Sequence, residues 1–449
     1  MRACSSRSAA KFALLRLAFD PAGLRHRFMK SFNDSQIMRR GHGPGRQDAR
    51  PTKRFMERAT SFSHRPSLVA SLLLATFIVL FTGTALAQTH FIAGADLSLL
   101  AYFETKGIVY KDHGQPGDAI RILKKHGINC IRLRLFTSSP QEVQADPYDY
   151  INNLAYTVPL AVRVKNAGMQ LMIDFHYSDT WADPGHQWAP CAWTNLTFPQ
   201  LAGQMRDYNS NCIAAFMAAG AMPDYVQVGN EITAGMVWPY GRLSGRNPNK
   251  EWSRFGQLMK SAIKGIKDAA GPDMPKIVVH IDRGGDWNTT KWFFDNLDRQ
   301  DVPYDIIGES YYPFYHGPPG NLIACVTNTV QRYGRPVIIA ETDLPRIYST
   351  NIFNLTASTD GQVQFVGLLG HIMKSAPNNL GAGIFWWGAE YQWPNANEAG
   401  VGTRSFFDEN GNLLPVADKL GRLARPINLN AQRSAPQSFS DSRNHAIGQ

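Results

Sequence analysis

Two glutamates stand directly behind apolar runs: Glu231 closes Asp224-Tyr-Val-Gln-Val-Gly-Asn230-Glu231, and Glu341 closes Arg335-Pro-Val-Ile-Ile-Ala-Glu341. A carboxyl in that position sits at the end of a buried strand, where neighbours rather than bulk water set its proton affinity. Two such groups facing each other can divide one reaction between them. One protonates a departing oxygen and the other attacks carbon, which is the division of labour in glycoside hydrolysis. That chemistry demands two different proton affinities from one residue type. Burial and the partner's charge would hold Glu231 protonated, whereas Arg134 and a tyrosine hydroxyl would hold Glu341 ionised. Ordinary solvated carboxylates at strand ends are the competing reading, so the surroundings decide.

Those surroundings are loaded with polar groups at the ends of the same kind of apolar run: Arg132 and Arg134; Asp174, His176 and Asp179; Asn230; His280 and Asp282; Glu309, Tyr311 and Tyr312; Trp386 and Trp387. Strand alternation puts Met172, Asp174 and His176 on one face, and ionisable groups inside a strand need partners or a purpose. For Asp174 the plain reading is a buried ion pair with Arg132 or Arg134. The tryptophans cluster too. Trp181, Trp188, Trp193, Trp238, Trp287, Trp386, Trp387 and Trp393 make up eight of the ten, and seven of these lie at or just beyond a predicted strand end. Indole faces stack on the C–H faces of pyranose rings, so such a rim suits a carbohydrate cleft. A core role could absorb two or three of them.

The elements that must position these residues alternate along the chain. Short apolar runs at Phe91 to Asp96, Asn129 to Phe136, Met169 to His176, Tyr225 to Glu231, Lys276 to Asp282, Tyr304 to Ser310, Pro336 to Glu341 and Gly381 to Trp387 read as strands. Amphipathic stretches between them read as helices: Pro116 to His126, Asn152 to Ala167, Phe198 to Ala219, Glu251 to Ala270, Lys291 to Leu297, Leu322 to Tyr333 and Gly361 to Ser375, with a last near Val416 to Leu423. Gly127, Gly168 and Gly334 close three of them. Eight strand and helix units predict an α/β fold, a (β/α)8 barrel forming a single catalytic domain over residues 88–425, with active groups at the C-terminal strand ends. A doubly wound open sheet is the alternative, but no Gly-rich phosphate loop follows the first strand.

The net charge of +10 would suggest a polyanion partner, but it is unevenly placed. Residues 1–66 carry 15 Lys and Arg against 4 Asp and Glu, and residues 67–87 carry no charge, which leaves the rest near neutrality. Nucleic acid is thereby excluded as a partner. Basic residues, then the apolar run Leu68 to Leu80, then Ala85-Leu86-Ala87 follow the order of a secretory signal, so cleavage after Ala87 and a secreted or periplasmic product without a stable membrane span are expected. An uncleaved anchor is the alternative. Residues 1–66 are read as a basic disordered leader or an over-extended start, with Met56 or Met38 as the true beginning, and 426–449 as a disordered tail. Of the five cysteines, Cys4 would be lost on processing, Cys130 lies in a strand pattern as a buried thiol, and Cys191 with Cys212 is the better candidate disulfide. No Cys/His cluster suggests zinc.

Several segments resemble glycoside hydrolase family 53, the arabinogalactan endo-β-1,4-galactanases. They are Gly-Ala-Asp96-Leu-Ser, Ile131-Arg132-Leu133-Arg134, the stretch from Asp174 through His176, Asp179 and Trp181 to Asp183-Pro184, Asn230-Glu231 with Trp238-Pro239, His280-Ile281-Asp282, Ser310-Tyr311-Tyr312, and Glu341-Thr342. The resemblance implies a retaining endo-glycosidase acting on β-1,4-galactan side chains of pectin, with Glu231 as acid/base and Glu341 as nucleophile. It further implies that Asp96, Arg134, His176, Asp179, Trp181, Asn230, His280, Tyr311, Tyr312 and Trp387 bind the substrate, and that the protein works as a monomer. No cofactor and no metal, calcium included, is expected, because the loop from Leu344 to Asp360 is short and carries only Asp360 as an acidic residue. Four departures lie beside the chemistry: Asp343-Leu344-Pro345 after Glu341-Thr342, Asp282-Arg283-Gly284-Gly285-Asp286-Trp287 where a Trp-rich segment is usual, Glu309 before Ser310, and Trp386-Trp387-Gly388-Ala389-Glu390 in place of Trp-Glu-Pro. These leave open another β-linked polymer as substrate, or a barrel that binds carbohydrate without cleaving it.

Overall fold

A computed structural model of the chain describes residues 91–347, 353, 355–392 and 403–425. The leader, the signal segment, Cys4, Trp393 and the tail lie outside the described residues, as does part of the loop from Leu344 to Asp360. Eight parallel strands close on themselves: β1 Ile92–Asp96, β2 Cys130–Leu135, β3 Gln170–Phe175, β4 Tyr225–Val228, β5 Lys276–Ile281, β6 Ile306–Ser310, β7 Val337–Thr342 and β8 Gly381–Trp386. Each strand pairs with its sequence neighbours, and β1 pairs with both β2 and β8. The expected (β/α)8 barrel is the architecture found. Eight main helices cover it: α1 Ala119–Lys125, α2 Leu154–Asn166, α3 Phe198–Ala218, α4 Pro248–Ala270, α5 Trp287–Asp298, α6 Pro319–Tyr333, α7 Thr359–Lys374 and α8 Pro415–Leu423.

The helices begin where side chains accept from their otherwise unpaired N–H groups. Asp118 caps α1, Asn153 caps α2, and Thr197 with Gln200 forms a reciprocal capping box on α3. Gly127 ends the first helical unit at a φ of 95°, and a Cβ there would stand 2.9 Å from the Gly421 carbonyl oxygen, so a glycine is required on both counts. Short elements that periodicity does not announce fill the loops, among them a helix at Leu100–Thr105 and two hairpins, Lys111–Asp112 with Gln115–Pro116 and Gly235–Met236 with Gly241–Arg242.

Two apolar layers hold the molecule together. Outward-facing strand residues such as Ile131, Ile173, Val226, Val279, Ile307 and Ile339 pack with the helices in the main core. Inside the barrel a smaller plug of Ile92, Cys130, Met172, Val278, Ile306, Ile338, Ala340, Ala382 and Phe385 fills the N-terminal half. Above this plug the inward positions become polar: Asp96, Arg132, Arg134, Asp174, Gln227 and His280 are all buried. A barrel interior that changes from apolar to charged at one level must balance its charges there. Cys130 is the buried thiol expected, but Cys212 carries a free thiol in the main core, so the expected Cys191–Cys212 bridge is not formed. Cys212 faces inward from α3 and lies beside Tyr208. Among the described residues no helix is long and apolar enough to cross a membrane.

Candidate active site

The two glutamates reach the same cleft by different backbone devices. β4 ends at Val228, after which Gly229 has a φ of 89° and Glu231 itself sits in the left-handed region at φ 49° and ψ 48°. A Cβ at Gly229 would lie 2.6 Å from a methyl of Ile232, so this turn admits only glycine. For a residue with a full side chain the left-handed conformation costs about 1–3 kcal/mol, which the surroundings must offset. Gln187 supplies part of the restraint, its buried amide donating to the carbonyl oxygens of Asn230 at 2.6 Å and Glu231 at 3.4 Å.

On β7 the device is a bulge. Ala340 belongs to the inner plug, so strict alternation would turn Glu341 outward toward the helices. The register against β6 jumps from Glu309↔Ile339 to Ser310↔Glu341, which places one extra β7 residue in the ladder. Glu341 then points inward, where Arg132 Nη1 lies 2.8 Å from Oε1 and the Tyr312 hydroxyl donates to Oε2 at 3.2 Å.

Arg132 is the hub of this half of the site. Its guanidinium also bonds Asp96 at 2.9 Å, Asp174 at 2.8 Å and Asn230 Oδ1 at 2.9 Å, and its Nε donates to Gln227 at 3.2 Å. The plain reading of Asp174 as one half of a buried ion pair is therefore the structure found. The cation paired directly with Glu341 is Arg132, while Arg134, one inward position further along β2, favours the ionised form from a greater distance. There its guanidinium stacks 4.1 Å from the centre of the Trp181 ring and 5.8 Å from that of Trp387. Asp96 lies 3.5 Å from Arg134.

The remaining expected residues divide into those that meet at the cleft and those that hold it up. Trp181 and Trp387 face each other with ring centres 6.2 Å apart, and Arg404 lies over the second ring at 5.0 Å. His176 accepts from the Ala182 N–H at 2.9 Å and lies 2.9 Å from Asp174, so it pins the β3 loop. Asp179 accepts from Thr137 at 2.7 Å and from the Cys191 N–H at 2.6 Å, tying the same loop to β2. Asn230 donates to the Ala182 carbonyl at 2.9 Å. His280 is wholly covered and meets Asn230, Gln227 and Ser310. Tyr311 turns into the main core, where its hydroxyl donates to the Gly317 carbonyl, while Tyr312 takes the inward position beside Glu341. Of the tryptophans expected at the rim, Trp193, Trp238 and Trp386 are buried, and Trp188 is exposed and packs edge-on to Trp238.

Sequence reasoning passed over Ser310, Gln227 and Arg404. Ser310 lies 2.6 Å from Glu231 Oε1. Period-two alternation from Ile306 places Ser310 inside and Tyr311 outside, a signal that was available.

The electrostatics separate the two carboxyls. Burial, reinforced by the charges of Glu341 and Asp282, raises Glu231 well above the ordinary carboxylate range, with Ser310 pulling the other way. Burial pushes Glu341 up to about 7; Arg132 opposes the rise, while Asp174 and Asp96 add to it. The proton that leaves this pair first therefore leaves Glu341, and Glu231 keeps its own to higher pH. Such a site can present a carboxylate and a carboxylic acid to one bound molecule at the same time.

Comparison with known proteins agrees with this geometry. The family model described as Glycosyl hydrolase family 53 matches residues 92–420. The arabinogalactan endo-β-1,4-galactanase of Humicola insolens is 34% identical over 337 residues, covering 72% of this chain and 96% of that protein. Among solved structures, one of two fungal β-1,4-galactanases is 32% identical with a TM-score of 0.65, covering 73% of this chain and 98% of that one. The GH53 catalytic domain of Ignisphaera aggregans is also 32% identical, with a TM-score of 0.68, covering 76% of this chain and 98% of that one. The match runs from the first barrel strand into the last helix and takes in both glutamates, and on that ground the chain belongs to glycosyl hydrolase family 53.

Proposed function

We propose that this chain is an exported endo-β-1,4-galactanase that cleaves galactan side chains of pectin with retention of configuration. The observation that carries the reading is the unequal setting of the two glutamates. Glu341 lies 2.8 Å from the Arg132 guanidinium, whereas Glu231 Oε1 lies 2.6 Å from the Ser310 hydroxyl. Glu341 as carboxylate attacks the anomeric carbon while Glu231 gives its proton to the departing glycosidic oxygen. A water molecule then attacks the glycosyl-enzyme bond, and Glu231, now a carboxylate, takes the water's proton. Arg132 and the Tyr312 hydroxyl favour the ionised form of Glu341 against the effect of burial. Trp181 and Trp387, braced by Arg134 and Arg404, offer aromatic faces for sugar rings. Export follows from the signal-like order of residues 53–87, and a monomer suffices because one chain supplies every group named.

The names of the galactanase relatives support β-1,4-galactan as the substrate. Asp343, which pairs at 3.2 Å with the Arg404 that lies over Trp387, favours a second reading in which another β-linked polymer is cut. The test is reducing-sugar release by protein beginning at Gln88, assayed on purified β-1,4-galactan beside glucan, mannan and other galactose-containing polymers. Release confined to galactan, abolished in Glu341→Ala and in Glu231→Gln, is the expected result. Activity on another polymer alone reassigns the substrate, and full activity in either variant reassigns the site. Binding to galactan without release by the unaltered protein would make the barrel a carbohydrate-binding one.

A further inference from the structure

Ser310 ends β6 inside the barrel with no exposed surface, and its hydroxyl lies 2.6 Å from Glu231 Oε1 and 2.8 Å from His280 Nε2. A hydroxyl has one proton, so it can donate to only one of them. The choice is made by the imidazole. His280 Nδ1 faces a donor, the Gln227 amide nitrogen at 3.1 Å, and an acceptor, Asn230 Oδ1 at 3.0 Å. Both amides are oriented by other bonds. Gln227 Oε1 accepts from Arg132, which leaves the Gln227 amino group to face the ring, and the Asn230 amino group donates to Ala182.

Burial and the charge of Arg132 hold the His280 ring well below its ordinary range, so it is neutral and carries one N–H. With that proton on Nδ1 the ring would donate to Asn230, and Nε2 would draw the Ser310 proton away from Glu231. With it on Nε2, the Gln227 amide donates to Nδ1, Nε2–H donates to Ser310, and Ser310 donates to Glu231. Asn230 Oδ1 keeps its bond from Arg132 at 2.9 Å in that arrangement. The second arrangement uses all three contacts as donor to acceptor in one direction and gives the Glu231 carboxyl a donor, whereas the first sets the ring N–H against the Gln227 amino group and requires a protonated Oε1 of Glu231 to donate to Ser310.

Building on the acid/base role proposed above for Glu231, we infer that Gln227, His280 and Ser310 form a one-way donor chain that keeps Oε1 of Glu231 an acceptor and so reserves its exchangeable proton for Oε2. Ser310 and His280 are positioning residues in this scheme. The chain fixes which oxygen hands over the proton in the first half of the cycle, and it supplies a donor to the carboxylate that must act as base in the second. No proton travels along it.

Two measurements test this. In the unaltered protein with ¹⁵N-labelled histidine, long-range ¹H–¹⁵N NMR should find His280 as the Nε2–H tautomer. An Nδ1–H tautomer overturns the inference, and this reading needs neither substrate nor turnover, so it stands apart from the function proposed above. Kinetically, Ser310→Ala should move the alkaline limb of kcat/KM upward by about half a pH unit to one unit, since a carboxylate that loses a donor binds its proton more tightly. It should also lower kcat about tenfold, with glycosyl-enzyme accumulating on an activated aryl glycoside. Ser310→Thr, which retains the hydroxyl, should restore the limb. The other groups acting on Glu231, namely Glu341 from β7, Asp282 after β5, Asp183 in the β3 loop, and Tyr312 and Tyr315 after β6, are unchanged in both variants. An alkaline limb that stays in place in a folded Ser310→Ala protein overturns the inference. Absence of hydrolysis in every variant and in the unaltered protein would instead refute the proposed function.

Discussion

At the end of β7, Glu341 joins Asp96 and Asp174 around a single buried guanidinium, and each carboxylate lies within 2.9 Å of Arg132. At the end of β4, Glu231 lies against a serine hydroxyl with the like charges of Glu341 and Asp282 nearby. Glu341 is buried and Glu231 half-buried, and this shielding from water alone would raise both proton affinities. The position of one cation, together with who shares it, makes the pair unequal. Identical residues thus acquire unequal proton affinities from the strands that flank them.

Removing the cation should erase the contrast. Arg132→Met leaves three buried carboxyls without their shared partner, and breaking a buried pair of this kind costs about 3–5 kcal/mol. Denaturant unfolding at neutral pH should show a loss of that size, with activity lost as well. A loss below about 1 kcal/mol would mean that the cluster does not depend on Arg132. Tyr312→Phe probes the same side more gently. With Glu341 as the proposed nucleophile, activity requires its ionised form and should rise as pH rises through its pKa. Loss of the hydroxyl at 3.2 Å raises that pKa, so the acid limb should move upward by about half a unit to one unit while the alkaline limb stays. A shift of the alkaline limb instead would reverse the roles of the two glutamates.

The smallest expected effect comes from Glu309, which extends the comparison to a carboxyl with no ion pair among the described residues. It is 1% exposed, accepts from Thr290 and from the Arg283 N–H, and is raised well above the ordinary range by burial. A raised carboxyl gives stability that is full below its unfolded value near pH 4.5 and is lost as pH climbs through the folded value. Glu309→Gln keeps the neutral shape without that loss. Its melting temperature should match the unaltered protein near about pH 4 and exceed it near about pH 8, by an amount worth about 1 kcal/mol. Equal melting temperatures at both values would show that Glu309 is ionised at no cost.

Much of this arrangement was legible in the sequence because it follows from periodicity. Buried runs of Val, Ile and Leu locate every barrel strand to within a few residues, since the outward positions beneath the helices are apolar on every strand. The polar residues at the strand ends were legible for the same reason. Which of two arginines meets Glu341 was not, because Arg132 and Arg134 share a face and differ only in depth, a property of the register between strands. Nor could alternation reveal that Glu341 faces inward, since the bulge breaks alternation at that residue. The tryptophan count was legible and its meaning only partly so. Trp386 fills core beside Phe406, and Trp193 packs on Tyr208, because an indole satisfies an apolar layer as readily as a sugar ring. The expected Cys191 to Cys212 bridge is not formed because Cys212 is spent as an apolar side chain in the main core.

The extra residue in β7 works as a phase shifter. It separates the side on which Glu341 emerges from the side dictated by the hydrophobic pattern beneath it, so the lower barrel keeps its packing whatever the upper rim requires. Deleting Ala340 would bring the strand back into step with the carboxyl still opposite Ser310, and the inner plug would lose a side chain instead. Replacing residues from Asp343 onward leaves that phase intact. Rim loops of this barrel can therefore be exchanged to recruit new sugars, provided the cut is made beyond Thr342.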